Sequence, residues 1–212
     1  MTATVERMVL GPVQANTYIL TDNETNQTAV IDAGDCPKDL LDALKPHDVR
    51  YILLTHGHYD HILGVPALKA AFPNAQVCIH ALDADCLRDP QKSLAATAEI
   101  REMPVTPDRL LEEGDEIALG KTRLCVLHTP GHTKGGVCFA DYGNRLLFTG
   151  DTLFCLTAGR TDFPGGSYEE LLASLLRLRG LDGDFTVYPG HNRATTLDAE
   201  RRRNRYMRRL GV

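Results

Sequence analysis

"LLTHGHYDH", residues 53–61, sets His56, His58, Asp60 and His61 within six positions, directly after an apolar run. The spacing decides what kind of segment this is. On a helix, residues two apart point about 200° away from each other, so His56 and His58 could not face one ion there. In a loop that follows a strand they can, and Gly57 between them leaves the backbone free to turn. Asp60 and His61 then fall on the next part of the turn, within reach of a neighbouring position. The pattern suits two adjacent metal ions, one facing His56 and His58 and the other facing Asp60 and His61. Neither pair completes a site alone. His47, His80 and His128 lack such company and are read as surface or core histidines.

Working outward, "RYILLTH" reads as the buried strand that delivers the cluster. Before it, "RMVLG", "TYILTD" and "TAVIDAG" are apolar runs bounded by Gly, Asn and Asp, as strands are. "PKDLLDALK" has helical spacing with Pro37 at the first helical position. After the cluster, "VPALKAAF" predicts a helix and "AQVCIH" a strand, and residues 81–107 read as helix or irregular lid. Four further strands follow in "EIALG", "TRLCVLHT", "GGVCFA" and "NRLLFTG". "SYEELLASLLRLRG" is the clearest helix. Ser167 and Glu170 make a capping box, Leu171, Leu172, Leu175 and Leu176 form its apolar stripe, and Gly180 closes it. "DFTVYPG" predicts a last strand and "LDAERRRNRYMRRL" a last helix, with acids in the first turn and arginines toward the end complementing its dipole. The alternation predicts an α/β layered fold.

Three more candidate ligands share one kind of position. His132 follows "LCVLHTPG", Asp151 follows "LLFTG" and His191 follows "TVYPG", each just past a predicted strand, as His56 is. Loops from a rigid sheet converge at such ends. A closed structural zinc site would carry cysteine thiolates. Seven nitrogen and oxygen ligands without cysteine imply two ions with room for water, the arrangement used for hydrolysis.

Composition narrows the class. A chain of 212 residues suffices for one well-buried core, so a single domain over 1–212 is expected. The net charge of −5 argues against nucleic acid or an anionic membrane as partner. No apolar run approaches the roughly 20 residues of a membrane span, and the start lacks a basic segment with an apolar signal core. The six cysteines include no CxxC pair and read as reduced, mostly buried thiols in a cytoplasmic protein.

"THGHYDH", "TPGHTKGGVCF", "FTGDTLF" and "YPGH" together resemble the successive motifs of the metallo-β-lactamase superfamily. Their order and spacing resemble its hydroxyacylglutathione hydrolase (glyoxalase II) branch in short bacterial form, over about Val9 to Asn204. The resemblance implies a four-layer αββα sandwich. It implies a first metal held by His56, His58 and His132, a second held by Asp60, His61 and His191, and Asp151 bridging them. Two divalent ions are expected, zinc first, with iron or manganese open to the same donors. An aspartate at 151 resembles the hydrolase branches more than the lactamases that use cysteine there.

The implied reaction is hydrolysis of a small acyl-thiol such as S-D-lactoylglutathione, giving a hydroxy acid and a thiol. Water acidified between two cations would attack the thioester carbonyl, with Asp60 and Asp151 as the catalytic carboxylates. "GDTLFCLTAGRTDFPGGS" covers the loop that binds glutathione in the family. Arg160 in it is expected either to meet a substrate carboxylate or to hold the loop to Asp162, with Phe154 and Phe163 as further substrate contacts. Two departures stand out. Arg193 occupies the position of a tyrosine in the longer glyoxalase II enzymes, and the chain ends before their C-terminal helical domain. "GRTDF" also resembles persulfide dioxygenases, in which His56, His132 and Asp151 would hold one iron. Hydrolysis of another ester, lactone or phosphodiester, and a metal-bound binding module, are the remaining alternatives.

Overall fold

Successive side chains of a strand point to opposite faces, so a strand buried on both sides feeds two cores. The computed structural model describes residues 2–101 and 104–209 and is organised on this rule. One mixed sheet runs in the order β1 (Ala3–Leu10), β2 (Ala15–Asp22), β3 (Gln27–Ile31), β4 (Asp48–Leu53), β5 (Gln76–His80) and β6 (Arg109–Leu111). Its first three strands pair antiparallel and the rest parallel. The second sheet is built from β7 (Glu116–Leu119), β8 (Thr122–His128), β9 (Val137–Asp141) and β10 (Leu146–Gly150) in antiparallel sequence. A short hairpin, β11 (Leu153–Phe154) and β12 (Thr157–Ala158), follows β10. β13 (Thr186–Pro189) then pairs parallel to β10, and β14 (Thr195–Thr196) closes that edge.

Tyr18, Leu20, Ile31 and Leu53 of the first sheet meet Leu124, Val126, Phe139 and Phe148 of the second in one shared layer. Each such side chain contributes about 1.5–3 kcal/mol by leaving water. Their strand neighbours Ile19, Val30 and Ile52 face outward beneath α1 (Lys38–Leu44), the single turn α2 (Tyr59–Ile62) and α3 (Val65–Ala71). On the far side, Leu127, Cys138, Leu147 and Val187 pack under α4 (Tyr168–Arg179), α5 (Leu197–Arg203) and α6 (Arg205–Arg209). The layers are therefore α, β, β, α, as the resemblance implies. No helix among the described residues is long and apolar enough to cross a membrane.

Local departures from the sequence reading have identifiable causes. Ser167 caps α4 by accepting from the Glu170 N–H, but its own N–H donates to Gly131 O at 2.8 Å, so the reciprocal half of the capping box does not form. That bond ties the helix to the loop bearing His132. Leu176 is 48% exposed, and Leu178 takes its place in the core. Pro37 is the cap of α1 rather than its first residue. The last helix breaks at Asn204, which is extended and buried, and whose Nδ2 donates to Thr157 O and Glu200 Oε2. Leu210 of that predicted helix lies outside the described residues. Arg201 is not simply solvated, since its guanidinium donates to the carbonyls of Arg179, the last residue of α4, and of Leu181 and Gly183 beyond it. Residues 81–107 form no α-helix among those described. Ala81–Leu87 is 3-10 helix, and turns follow. Glu102 and Met103 fall outside the description.

Asp22 fastens the end of β2 to the β7–β8 turn, accepting from Lys121 N, from Thr122 N and Oγ1, and from Thr25. Burial pushes its carboxyl up, but these donors prevail and hold it at about 2 against an ordinary 3.8. A depressed carboxylate stabilises the fold above its unfolded-state pKa, and that stability is lost as pH falls through the folded one. Wild type is therefore expected to lose about 1–2 kcal/mol, after allowance for solvent screening, relative to Asp22→Asn between roughly pH 4 and pH 2. Urea midpoints of the two proteins, followed down that range, check this. Parallel curves would refute it.

Candidate metal centre

β4 ends at Leu53, and the chain bends at Thr55 and runs on to an extended His58 before turning into α2. His56 and His58 therefore lie in the loop after the strand, while Asp60 and His61 lie on the following helical turn. Gly57 has no room for a side chain, because a Cβ there would stand 2.4 Å from that of Cys86. The second sheet delivers the rest: His132 in the β8–β9 loop, Asp151 after β10 and His191 after β13. Gly190 allows that last loop to close in, since a Cβ on it would lie 2.2 Å from Asp151 Oδ1.

All seven residues converge. His58 Nδ1 stands 2.9 Å from His132 Nε2. His61 Nε2 is 3.4 Å from His191 Nε2 and 3.5 Å from Asp60 Oδ2. His191 Nε2 is 3.2 Å from the same Asp60 oxygen. Asp151 lies between the groups, with Oδ1 3.5 Å from His61 Nε2 and Oδ2 3.5 Å from His132 Nε2. Among the described residues three sets have ligand atoms close enough to share an ion: His56 with His58 and His132, Asp60 with His61 and His191, and His56 with His61 and Asp151.

The outer hydrogen bonds fix which nitrogen faces inward. His132 Nδ1–H donates to the Arg160 carbonyl at 2.7 Å. His61 Nδ1–H donates to Asp32 Oδ2 at 3.0 Å. Thr55 spends its one hydroxyl proton on Asp32 Oδ2, so its oxygen accepts from His56 Nδ1–H at 3.1 Å. All three imidazoles thus present Nε2, as oriented metal ligands do. Two buried atoms in this polar cluster, His56 Nε2 and Asp151 Oδ1, have no hydrogen-bond partner among the described residues. Buried polar atoms are normally satisfied, so this pair fits a cation between them.

The charge balance agrees. Burial, and then the neighbouring imidazoles, hold His56 well below its ordinary pKa. Burial and His132 bring His58 down to about 3. Neutral imidazoles are the form that binds metal. Burial also opposes charge on His61, but Asp60, Asp151 and Asp32 outweigh it and raise its pKa to about 10. Burial raises Asp60, yet His61 and His191 overrule it and keep the carboxyl ionised. Carboxylates gathered in so buried a place call for a positive partner, which a proton or a metal cation supplies.

His58, Asp60, His132, Asp151 and His191 line a cleft of about 840 Å³. Phe163 stands edge-on to His58 at 5.7 Å and Phe154 edge-on to His191 at 6.0 Å. Leu94, Thr97 and Ala98, from the turns after Leu87, make another wall. Arg160 also lines the cleft, but its guanidinium grips Asp162 through Nε and Nη2 at 2.7 and 2.6 Å and lies 4.0 Å over the Phe163 ring. His80 and His128 stack on each other at 4.3 Å, apart from the ligands, and His47 bonds Asn26.

Two supporting residues had no signature in the pattern of histidines. Asp32 sits past the end of β3, another strand end that could have marked it. Asp83, on the 3-10 turn, accepts from Gly57 N, Thr133 Oγ1 and Gly135 N, binding the two ligand loops together. Nothing in its sequence neighbourhood singles it out.

A four-layer sandwich with His and Asp ligands gathered at its strand ends defines a metallohydrolase class of fold. The chain belongs to the metallo-β-lactamase superfamily, whose family model matches residues 10–191. It is 33% identical to the hydroxyacylglutathione hydrolase GloC of Haemophilus influenzae over 211 residues, covering 96% of this chain and 97% of that one. The crystal structure of the BLEG-1 B3 metallo-β-lactamase superposes with a TM-score of 0.89 at 32% identity, covering 96% and 99% of the two chains. TTHA1623 in a di-iron-bound form gives 0.84 at 38% identity, covering 95% of this chain and all of that one.

Proposed function

We propose that the protein is a two-metal hydrolase of thioesters, acting on S-D-lactoylglutathione or a related acyl-thiol. The observation that carries this reading is the pair of unpartnered buried atoms, His56 Nε2 and Asp151 Oδ1, beneath an open cleft. In this reading His56, His58 and His132 would hold one cation and Asp60, His61 and His191 the other, with Asp151 available to either. Such cations supply an acidified water and an electrophile for a carbonyl oxygen. The donor set accepts zinc, iron or manganese.

The protein's own groups do the rest. Asp60, kept ionised, accepts a proton of the attacking water as a hydrogen bond and so aims it. Phe154 and Phe163 flank the acyl group and keep bulk solvent from it. A thiol of pKa about 8.5 leaves without prior protonation, so the reaction needs no general acid for its leaving group. The likeness to the Haemophilus hydroxyacylglutathione hydrolase supports this substrate class.

A screen of S-D-lactoylglutathione, other acyl-thiols, lactones, phosphodiesters and β-lactams, with metal content measured in parallel, tests the assignment. The expected result is fastest turnover of an acyl-thiol with about two metal ions per chain. One tightly held iron together with oxygen uptake on glutathione persulfide would sink it. That rival reading needs His56, His132 and Asp151 and leaves the converging atoms of His58, Asp60, His61 and His191 without a task.

A further inference from the structure

A second cavity, of about 290 Å³, opens beside the cleft and shares Val13, His191 and Asn192 with it. Arg7 and Arg193 both line it. Arg7, on β1, donates from Nη1 to the Asn192 carbonyl at 2.9 Å, and Arg193 donates from Nε to Cys155 Sγ at 3.4 Å. These contacts hold the two side chains while leaving most of their N–H groups unspent, since a guanidinium carries five. Among the described residues neither arginine makes an ion pair. The turn beneath them is fixed by buried Asn16, whose Nδ2 donates to Pro189 O at 2.8 Å and Asn192 O at 2.9 Å. His191 and the two guanidiniums therefore stand in a set relation.

Arg160, expected either to meet a substrate carboxylate or to hold the loop to Asp162, is bound to Asp162. In a chain of net charge −5, an unpaired arginine couple bordering the reaction centre is distinctive. The geometry points to an anion subsite formed by Arg7 and Arg193, which receives a carboxylate or phosphate on the thiol half of the substrate. This inference rests on the thioesterase reading for the identity of that substrate. Lying at the rim, the pair contributes binding that is the same in ground and transition states, so it acts on KM rather than kcat.

The test compares Arg7→Ala and Arg193→Ala with wild type on three thioesters of one acyl group: glutathione, coenzyme A and neutral N-acetylcysteamine. Each variant is expected to raise KM for an anionic thioester about ten-fold, with kcat and the neutral substrate's KM within roughly two-fold of wild type. Whichever anionic thioester responds more strongly identifies the anion as carboxylate or phosphate. Equal changes on neutral and anionic substrates, or no change on either anionic one, would overturn the subsite while leaving the thioesterase standing. If metal-loaded wild type hydrolyses no thioester, the functional reading falls instead. Calorimetry with S-methylglutathione then decides the subsite: about ten-fold weaker binding in the variants supports it, and unchanged binding rejects it.

Discussion

Asp151→Ala is expected to lower thioester hydrolysis by about 1,000-fold or more and to cut metal content, while circular dichroism stays close to wild type. The two oxygens of Asp151 face different histidines, Oδ1 toward His61 and Oδ2 toward His132. Removing it takes a negative charge from between both ligand groups. A 1,000-fold loss corresponds to about 4 kcal/mol of transition-state stabilisation, within what a metal centre supplies. The fold should survive because Oδ1 bonds to nothing else and β10 is held by its own pairings to β9 and β13. Undiminished activity in this variant would refute the site assignment.

Asp32→Ala is expected to act on stability and metal affinity together. The carboxylate is buried and serves three donors: Thr55 N at 2.8 Å, Thr55 Oγ1 at 2.7 Å and His61 Nδ1 at 3.0 Å. An orphaned buried donor costs about 1–3 kcal/mol, so a loss of roughly 3–5 kcal/mol in unfolding free energy is expected. Metal affinity should fall about 10–100-fold as His61 loses its orienting partner. Asp32 also has φ 53, a left-handed conformation that alanine tolerates poorly. Asp32→Asn separates the effects, since it keeps an acceptor for Thr55 N but turns a donor toward the other two. Urea unfolding and metal titration of both variants provide the check. Stability within about 0.5 kcal/mol of wild type for Asp32→Ala would show that the network is not structural.

Much of this was legible in sequence because metal ligands are chemically restricted and strand ends are easy to mark. The seven residues read from "LLTHGHYDH" and three later strand ends do converge in the structure. The main strands and α4 followed from periodicity. What escaped was short or indirect. β6, β11, β12 and β14 have two or three residues each, too few for alternation to register. The break at Asn204 depends on buried Glu200 and on Thr157, some 47 residues away, so no local pattern announces it. Leu176 and Leu178 exchange roles because α4 meets its sheet on a face that spacing alone leaves several residues wide. Asp83 acts through two backbone amides and a hydroxyl, and any acceptor at the right place would do.

The bond from His132 to position 160 is made by a carbonyl, and every amino acid has one. Any residue that leaves the backbone there in place keeps His132 aimed, whatever its side chain carries toward the cleft. The side chain at 160, which grips Asp162 and covers the Phe163 ring, therefore shapes the cleft without being what orients His132. The aim of the histidine and the character of the cleft wall are thus set by different parts of one residue.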